Sequence, residues 1–407
     1  MNKSTQLVNV SVASEMLKVS IDTIRRWEKK GLIRATRDAQ GHRIFAVNEL
    51  QQLKDKTQGK GQVGYKILKQ KVAKKYKVVE LFAGCGGLAL GLENAGISAE
   101  MLVEIDAKAS ETLKINRPHW NVVADDIKNV DFKNIKADIV TGGFPCQAFS
   151  YAGKRLGFED TRGTLFFEFA RAVKEIQPKI ILGENVKGLE KHDGGRTLTT
   201  MMDILDELGY KAHYKIIRAQ YLDVAQKRER LVIIGVRKDI DSKILFPKEK
   251  NYTIGIGEVL KDVPNSEGQV YTEKKKKIMD LIPPGGYWRD LPDKLQREYM
   301  GGSYFLGGGK TGMARRLSAD EPSLTLTCNP AQKQTERCHP FETRPLQVRE
   351  YARIQSFPDD WVFSGSTASK YKQIGNAVPV NMGFHIGRAI IAMLSKKYNK
   401  DDFEIYD

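Results

Sequence analysis

Between residues 77 and 238, short apolar runs alternate with stretches of helical spacing, and this alternation constrains the fold more than any other feature of the chain. The runs are VVELF (78–82), 101–105, 137–141, 180–182 and 231–236; helical stretches at about 88–95, 107–116 and 164–176 separate several of them. Such strand–helix alternation predicts an α/β fold built on a parallel, doubly wound (Rossmann-like) sheet, in which ligands sit beyond the carboxyl ends of the strands. The pattern stops near Lys238. Residues 240–340 are rich in Gly, Pro, Lys and Tyr without a sustained helical period, and predict a second, loop-rich domain. Regular signals return near Leu346 and end in a helix over 379–398.

A separate unit precedes the alternation. Val12, Ala13, Met16 and Leu17 have helical spacing, and Ser20 is placed to cap a second helix from about Ile21, with Ile24 and Trp27 on one face and Arg25 and Arg26 elsewhere. Gly31 closes that helix, residues 33–45 read as a hairpin turning at Ala39-Gln40-Gly41, and a short helix follows over 47–53. Residues 54–77 hold nine Lys against one acid, a basic linker ending in a helix. The expected organisation is a head (1–57), a basic linker (58–76), a first core part (77–239), the loop-rich domain (240–340) and a second core part (341–400).

The length of 407 residues allows two to three domains. Sixty-six Lys and Arg against fifty Asp and Glu leave a net charge of +16, which points to a polyanionic partner, DNA or RNA first. No run approaches the ~20 apolar residues of a membrane span. Four cysteines without a CxxC pair argue against a disulfide scaffold and suggest a reducing, cytoplasmic compartment. Cys328, Cys338 and His339 lack the spacing and the fourth ligand of a metal site, so no metal is expected.

Four places carry chemistry. In FAGCGG a strand runs into Gly84, Gly86 and Gly87 and then a helix, letting a ligand approach backbone N–H groups; Glu104 and Asp106 follow about 20 residues on, where an acid commonly meets ribose hydroxyls. Taken alone this suits a dinucleotide, adenosylmethionine or merely a tight turn. In GGFPCQAFS, Pro145 and Cys146 follow a strand, on a loop that suits an exposed nucleophile. Glu184 of ENV and Arg228 and Arg230 of QKRER flank further strands, where an Arg would support a thiolate or hold a carbonyl.

Taken together, FAGCGG, GGFPCQAFS, ENV, QKRER, RPLQVREYARIQSFP (344–358) and QIGNAVPVNMG (373–383) resemble the DNA (cytosine-5)-methyltransferases over about 78–390, leaving out 240–340. The head strongly resembles the MerR-type helix-turn-helix. The first resemblance implies that Cys146 attacks cytosine C6, that Glu184 serves N3 and the exocyclic amine, that Arg230 holds O2, and that Arg228 lies nearby toward phosphate. It implies S-adenosyl-L-methionine as cofactor, held by Phe82, Gly84, Gly86, Gly87, Glu104, Asp126 (with Asp125 as the neighbouring alternative), Pro145 and Asn376. The target base is flipped out of the double-stranded DNA, and residues 240–340 read its sequence. A companion restriction endonuclease and a monomeric state are expected. The second resemblance implies DNA contact through Arg25, Arg26, Arg37, His42 and Arg43, for DNA attachment or for repression of the enzyme's own operon. Two other classes compete: a pure transcription factor, which the intact Cys146, Glu184 and Arg230 set disfavours, and an RNA methyltransferase, which the head and the long variable region disfavour.

Overall fold

The computed structural model describes residues 7–17, 19–29, 33–38, 40–47, 49–50, 64–71, 74–145 and 164–407. The chain divides into two units, one of residues 1–64 and 250–253 and one of residues 65–249 and 254–407.

In the first unit, β1 (Leu7–Asn9), β2 (Ala35–Arg37) and β3 (Arg43–Ala46) form an antiparallel sheet in the order β1-β3-β2. Helices α1 (Val10–Leu17) and α2 (Ile21–Lys29) bury Ala13, Leu17 and Ile24 against Ile33, Phe45 and Leu50. The expected Ser20 cap is present, with its Oγ accepting from the Thr23 N–H at 3.2 Å. The hairpin turns at Gly41, whose φ of 85° suits glycine. Strand β1 is an addition, since residues 7–9 carry no strand signal of their own and gain their structure by pairing with β3. The expected C-terminal Gly31 lies outside the described residues.

The second unit is organised by a seven-stranded sheet in the order β6-β5-β4-β7-β8-β11-β9. Its strands are β4 (Tyr76–Leu81), β5 (Ile97–Val103), β6 (Val122–Val123), β7 (Ile139–Gly142), β8 (Ile180–Val186), β9 (Tyr210–Arg218) and β11 (Glu229–Arg237). The short β10 (Gln226–Lys227) stands outside this sheet and pairs with β13 (Ser323–Leu324). Alternate residues of the apolar runs face opposite layers. Val78, Ile180, Leu182, Val232 and Ile234 join one core, and Val79, Leu81, Ile181, Leu231 and Ile233 the other, so runs that look uniformly apolar are buried on both faces. Helices α3 (Gly87–Ala95) and α12 (Val380–Ser395) cover the first face; α5 (Leu165–Ile176) and α6 (Arg196–Glu207) cover the second, and α4 (Ala107–Asn116) follows β5.

The sheet departs from the parallel expectation in one place. The strands from β6 to β8 pair parallel, but β11 is antiparallel to both β8 and β9. The crossover through α6 carries the chain past one strand position to β9. The connection from β9 to β11 is too short for another crossover, so β11 must return antiparallel and fill the gap. The basic linker was expected to end in a helix, but residues 64–71 contain none. They run extended, held by Tyr65 Oη to the Arg353 carbonyl (2.8 Å) and by Asn381, which accepts from the Leu68 N–H and donates to the Lys66 carbonyl.

Residues 240–340 are less irregular than their composition suggests. β12 (Ile244–Pro247) pairs with the C-terminal β14 (Phe403–Tyr406) and buries Ile244, Leu245 and Phe246 in the first core. After the short α7 (Ile256–Val259) come α8 (Glu273–Asp280), capped by Thr272, and α9 (Asp293–Met300). These two build a separate small core with Met279, Ile282, Trp288, Leu291, Met300 and Met313. Regular structure resumes with α10 (Val348–Ile354). The stretch Thr367–Ser395 is apolar and long enough by composition to cross a membrane, but 78% of its most apolar window is buried in the fold. It comprises α11 (Thr367–Asn376) and α12, interrupted at residues 377–379.

Helix α12 meets α3 backbone to backbone. A Cβ on Gly91 would lie 2.5 Å from the Val380 carbonyl oxygen and 2.7 Å from Gly383 Cα. Gly91→Ala gains about 1 kcal/mol of helix propensity, but overpacking costs about 1–3 kcal/mol, and here the obstacle is backbone that no rotamer change can move. Gly91→Ala is expected to lower the midpoint of chemical denaturation; a midpoint at or above that of the parent would disprove the close contact.

Candidate active site

The carboxyl ends of β4, β5, β7 and β8 open into one cavity of about 660 Å³. Its lining includes Phe82, Gly84, Gly87, Glu104, Pro145, Glu184, Arg230 and Asn376, so eight of the residues expected from sequence converge although they span nearly 300 positions. Cys146 lies outside the described residues; Pro145, immediately before it, is exposed at the cavity.

The glycine loop is shaped by two different constraints. Gly86 starts α3 with φ 87°, and a Cβ there would press to 2.6 Å from Leu113 Cδ2. It is therefore a packing position beneath the loop and is absent from the cavity lining, a correction to its expected ligand contact. Gly87 admits the C-terminal segment, since a Cβ would stand 2.1 Å from the Val378 carbonyl oxygen. Phe82 holds φ 58°, an uncommon conformation for a side-chain-bearing residue, where the strand turns into the loop.

Glu104 anchors the loop, with Oε2 accepting from the Gly84 N–H and Oε1 from the Asp106 N–H, both at 2.7 Å. Each oxygen keeps a second lone pair for a ligand hydroxyl. Burial pushes its carboxyl above the ordinary range against these two bonds. Asp126 stands apart. It follows β6, caps the next turn by accepting from the Lys128 N–H at 3.0 Å, and is not part of the cavity lining; its neighbour Asp125 accepts from Asn129.

The antiparallel return of β11 brings the charged pair together. Glu184 is opposite Val232 in the β8–β11 ladder, which places Arg230, two residues away, on the same face as its diagonal neighbour. Arg230 Nε meets Glu184 Oε1 at 2.8 Å, with both side chains only 14% exposed. Burial raises the Glu184 carboxyl although Arg230 and Arg228 pull it down, and burial lowers Arg230 against the pull of Glu184. A Cβ on Gly143 would be 3.3 Å from Glu184 Oε2, so the loop before Cys146 runs alongside the carboxyl.

Arg228 corrects the sequence reading. It is 1% exposed and donates to the carbonyls of Gly375 (3.1 Å) and Asn376 (3.3 Å), so it cannot face phosphate; it holds the segment that carries Asn376. In the first unit, the expected DNA-contacting side chains are engaged locally: Arg25 with Asp22, Arg37 with the Gly41 carbonyl, His42 with Asp38, and Arg43 with Glu28 at 2.7 Å. The Arg26 side chain is outside the described set.

Several lining residues escaped sequence reasoning. Asn185 donates to the Phe144 carbonyl at 2.8 Å and so fixes the loop leading to Cys146. Ile105 is 67% exposed beside Glu104, an apolar wall that strand patterning reads only as the end of a run. Outside the lining, Gln226, the first residue of the QKRER motif, ties three segments: its Nε2 donates to Gln355 (2.9 Å), its Oε1 accepts from the Leu326 N–H (2.9 Å), and Gln355 passes on to the Ile374 carbonyl (2.7 Å). Glu80 looks like a core residue of β4, but it faces the cavity, 3% exposed, with Oε2 unpaired.

Burial pushes Glu80 up to about 8. The folded chain therefore holds this proton more tightly than the unfolded chain. That contribution to stability is full below the ordinary carboxylate range and is lost as pH rises through about 8. Glu80→Gln is expected to gain thermal stability relative to the parent as pH rises from 6 to 9; parallel melting curves across that range would show that Glu80 ionises as an ordinary carboxylate.

The geometry agrees with the relatives of the chain. Residues 76–392 match the family model of the C-5 cytosine-specific DNA methylases, and residues 9–45 match that of MerR family regulatory proteins. The chain is similar to the type II methyltransferase M.Eco47II of Escherichia coli (52% identity, covering 97% of this chain and 98% of the relative). It is also similar to M.Sau96I of Staphylococcus aureus (53% identity, 79% and 77%). Among solved structures, a DNA modification methyltransferase encoded within an E. coli prophage superposes with a TM-score of 0.56 at 25% identity, covering 79% of this chain and all of that one. The match spans most of the sheet, the cavity and the C-terminal return, and the chain belongs to the C-5 cytosine-specific DNA methylases, as a type II methyltransferase of the restriction–modification kind.

Proposed function

We propose that the cavity binds S-adenosyl-L-methionine at the β4–β5 end and a flipped-out cytosine of double-stranded DNA at the β7–β8 end, and that Cys146, Glu184 and Arg230 carry the chemistry. The observation behind this reading is the buried Glu184–Arg230 pair, placed alongside the loop that leads into Cys146. The residues present fit the cofactor. Glu80 offers an unpaired buried carboxyl oxygen, whose ionisation a bound cationic group would favour, Glu104 offers free lone pairs to ribose hydroxyls, and Phe82 and Ile105 offer apolar surface to a base. Gly84 leaves open space, with nothing within 4 Å of where a Cβ would stand, and Gly87, Pro145 and Asn376 close the walls. Asp126, at the neighbouring strand end, would serve the adenine amino group. When bound, the cofactor supplies the methyl group.

Cytosine C5 is a poor nucleophile. In this reading the Cys146 thiolate bonds to C6, the C5–C6 electron pair shifts into the ring, and the charge developing toward N3 is neutralised by a proton from Glu184. Burial keeps that proton on Glu184 above the usual carboxylate range. Arg230 stays cationic beside O2 and orients Glu184 through its Nε. After C5 is methylated, the N3 proton returns to Glu184, a water carries off the C5 proton, and the electron pair left at C5 restores the C5–C6 double bond as it expels the Cys146 thiolate. Arg228 acts as a positioning residue through the carbonyls of Gly375 and Asn376. Cys146→Ala is expected to abolish methyl transfer. Glu184→Gln should lower turnover on the order of a hundredfold and remove the fall in rate as pH rises through the Glu184 ionisation. Turnover by Cys146→Ala, or a parental rate and pH profile for Glu184→Gln, would refute these roles.

The excess of basic residues supports a second DNA contact by the first unit, with α2 in a major groove and Arg37, His42 and Arg43 at the backbone. The ion pairs of Arg25 and His42 are largely exposed and can be exchanged for phosphate. The enzyme is read as a cytoplasmic monomer with a companion restriction endonuclease, its head aiding the search along DNA. Removing residues 1–57 is expected to leave the methylated sequence unchanged, weaken DNA affinity and make its salt dependence shallower; an unchanged affinity and slope would exclude head–DNA contact.

A further inference from the structure

By composition, residues 65–70 are part of a lysine-rich linker, yet they belong to the same unit as the seven-stranded sheet. Their burial alternates with their charge. Lys66, Lys69 and Lys71 are exposed, while Tyr65, Ile67, Leu68 and Gln70 are half-buried against the fold. The segment runs extended and joins no sheet, so its polar groups must find partners elsewhere. It finds them at three helices. Tyr65 Oη donates to the Arg353 carbonyl near the end of α10 (2.8 Å). The Leu68 N–H donates to Asn381 Oδ1 in the first turn of α12 (2.9 Å), and the Gln70 N–H to the Asn94 carbonyl at the end of α3 (2.8 Å). A solvated tether would leave these groups to water.

Each of the three helices leads to a wall of the cavity. Helix α3 starts at the glycine loop, with Gly87 and Leu88 in the lining, and α12 starts just after the lining residues Ala377 and Val378. Helix α10 leads into Gln355, whose Nε2 donates to the Ile374 carbonyl (2.7 Å) and whose own carbonyl accepts from the Val380 N–H (3.0 Å). Asn381 is the centre of the arrangement. It is fully buried, and its Nδ2 donates to the carbonyls of Lys66 (2.9 Å) and Asp223 (2.8 Å) while its Oδ1 takes the Leu68 N–H. Asp223, at φ 56°, pairs through its carboxyl with His385 Nε2 at 2.8 Å, one turn further along α12. Shortly after Asp223 comes Arg228, which grips the carbonyls of Gly375 and Asn376. One amide thus links residues 65–70, the start of α12 and the segment that delivers Arg228.

We propose that residues 65–70 are a strap of the catalytic unit, a positioning element that holds the cavity wall Asn376–Val378 in its ligand-binding place. The inference rests on the reading of this cavity as the S-adenosyl-L-methionine site. The wall comes from the far end of the chain and meets the glycine loop backbone to side-chain-free backbone, with the Val378 carbonyl against Gly87. Such a wall serves a ligand only in the fraction of molecules where it is seated, so apparent affinity falls as that fraction falls. One net hydrogen bond is worth a factor of about two to ten, and the strap supplies several. None of these ties reaches Glu184 or Arg230, so the strap sets cofactor affinity and leaves the bond-making step alone.

The test compares five proteins: the full chain, chains lacking residues 1–57 or 1–72, and full-length Tyr65→Ala and Tyr65→Phe. Calorimetry with S-adenosyl-L-methionine gives Kd, and methyl transfer to duplex DNA gives the cofactor KM and kcat. Removal of residues 1–57, which spares the strap, is expected to keep the parental Kd. Removal of residues 1–72 should raise Kd and KM on the order of tenfold, with kcat at saturating cofactor near the parental value. Tyr65→Ala should raise both roughly threefold to tenfold, and Tyr65→Phe, which keeps the ring, about twofold; the two point variants decide the matter where the shorter chain does not fold. A lower melting temperature with unchanged Kd and KM would show a strap that only stabilises the fold. An equal rise in Kd on removing residues 1–57 would assign the effect to the head, and a fall in kcat at parental Kd would assign it to the chemistry. Each of these overturns the strap while parental cofactor binding stands. A parent that binds no S-adenosyl-L-methionine would instead sink the reading of the cavity, and the strap with it.

Discussion

The contact between Gly91 and Gly383 carries the rest of the structure. Two helix backbones can touch at this distance only where both lack side chains, and the Val380 carbonyl and Gly383 fill the space that a Cβ on Gly91 would need. Because α12 is seated so closely on α3, residues 373–378 reach the glycine loop, where Gly87 admits the Val378 carbonyl and Cys85 donates to the Gln373 carbonyl at 3.3 Å. The cavity has a wall from the end of the chain only because of this approach. Arg228 and Gln355 then lock the same segment from below through its carbonyls.

A second dependence is electrostatic. Glu184 and Arg230 sit where water is largely excluded, so neither is cheaply charged alone, and each makes the other's charge tolerable. Burial leaves the carboxyl protonated to higher pH than an exposed one. The arrangement requires β11 to run antiparallel, since a parallel strand would point its amino-terminal arginines to the opposite edge of the sheet.

The region between the two core parts is tied by polar contacts to the segment that carries Arg228 and Arg230. Strand β10 pairs with β13, Thr325 donates to the Lys227 carbonyl at 2.7 Å, and Gln226 binds Leu326. The QKRER segment therefore serves twice: its glutamine seats the returning region, and its last arginine pairs with Glu184 at the cavity. The ties engage the backbone of Ser323, Leu324 and Leu326 and the hydroxyl of Thr325.

Much of this was legible in the residues because it depends on local rules. Strand–helix alternation, the glycine cluster after β4, the Ser20 cap and the gathering of Glu104 and Glu184 at strand ends follow from periodicity and turn chemistry, which act over a few positions. What escaped depends on partners distant in the chain. Glu80 sits in an apolar run and looks like a core residue until the fold opens the cavity beside it. Arg228 and Arg230 are two residues apart with the same chemistry, yet one is buried under Gly375 and the other meets Glu184. The direction of β11, the pairing of β12 with β14 and the seating of residues 65–70 on three helices are likewise settled by which surfaces meet. Residue order and periodicity determined which elements form and which groups gather at the strand ends. Only tertiary packing decided which of them face the cavity, because burial and contact belong to pairs of surfaces and not to any single segment.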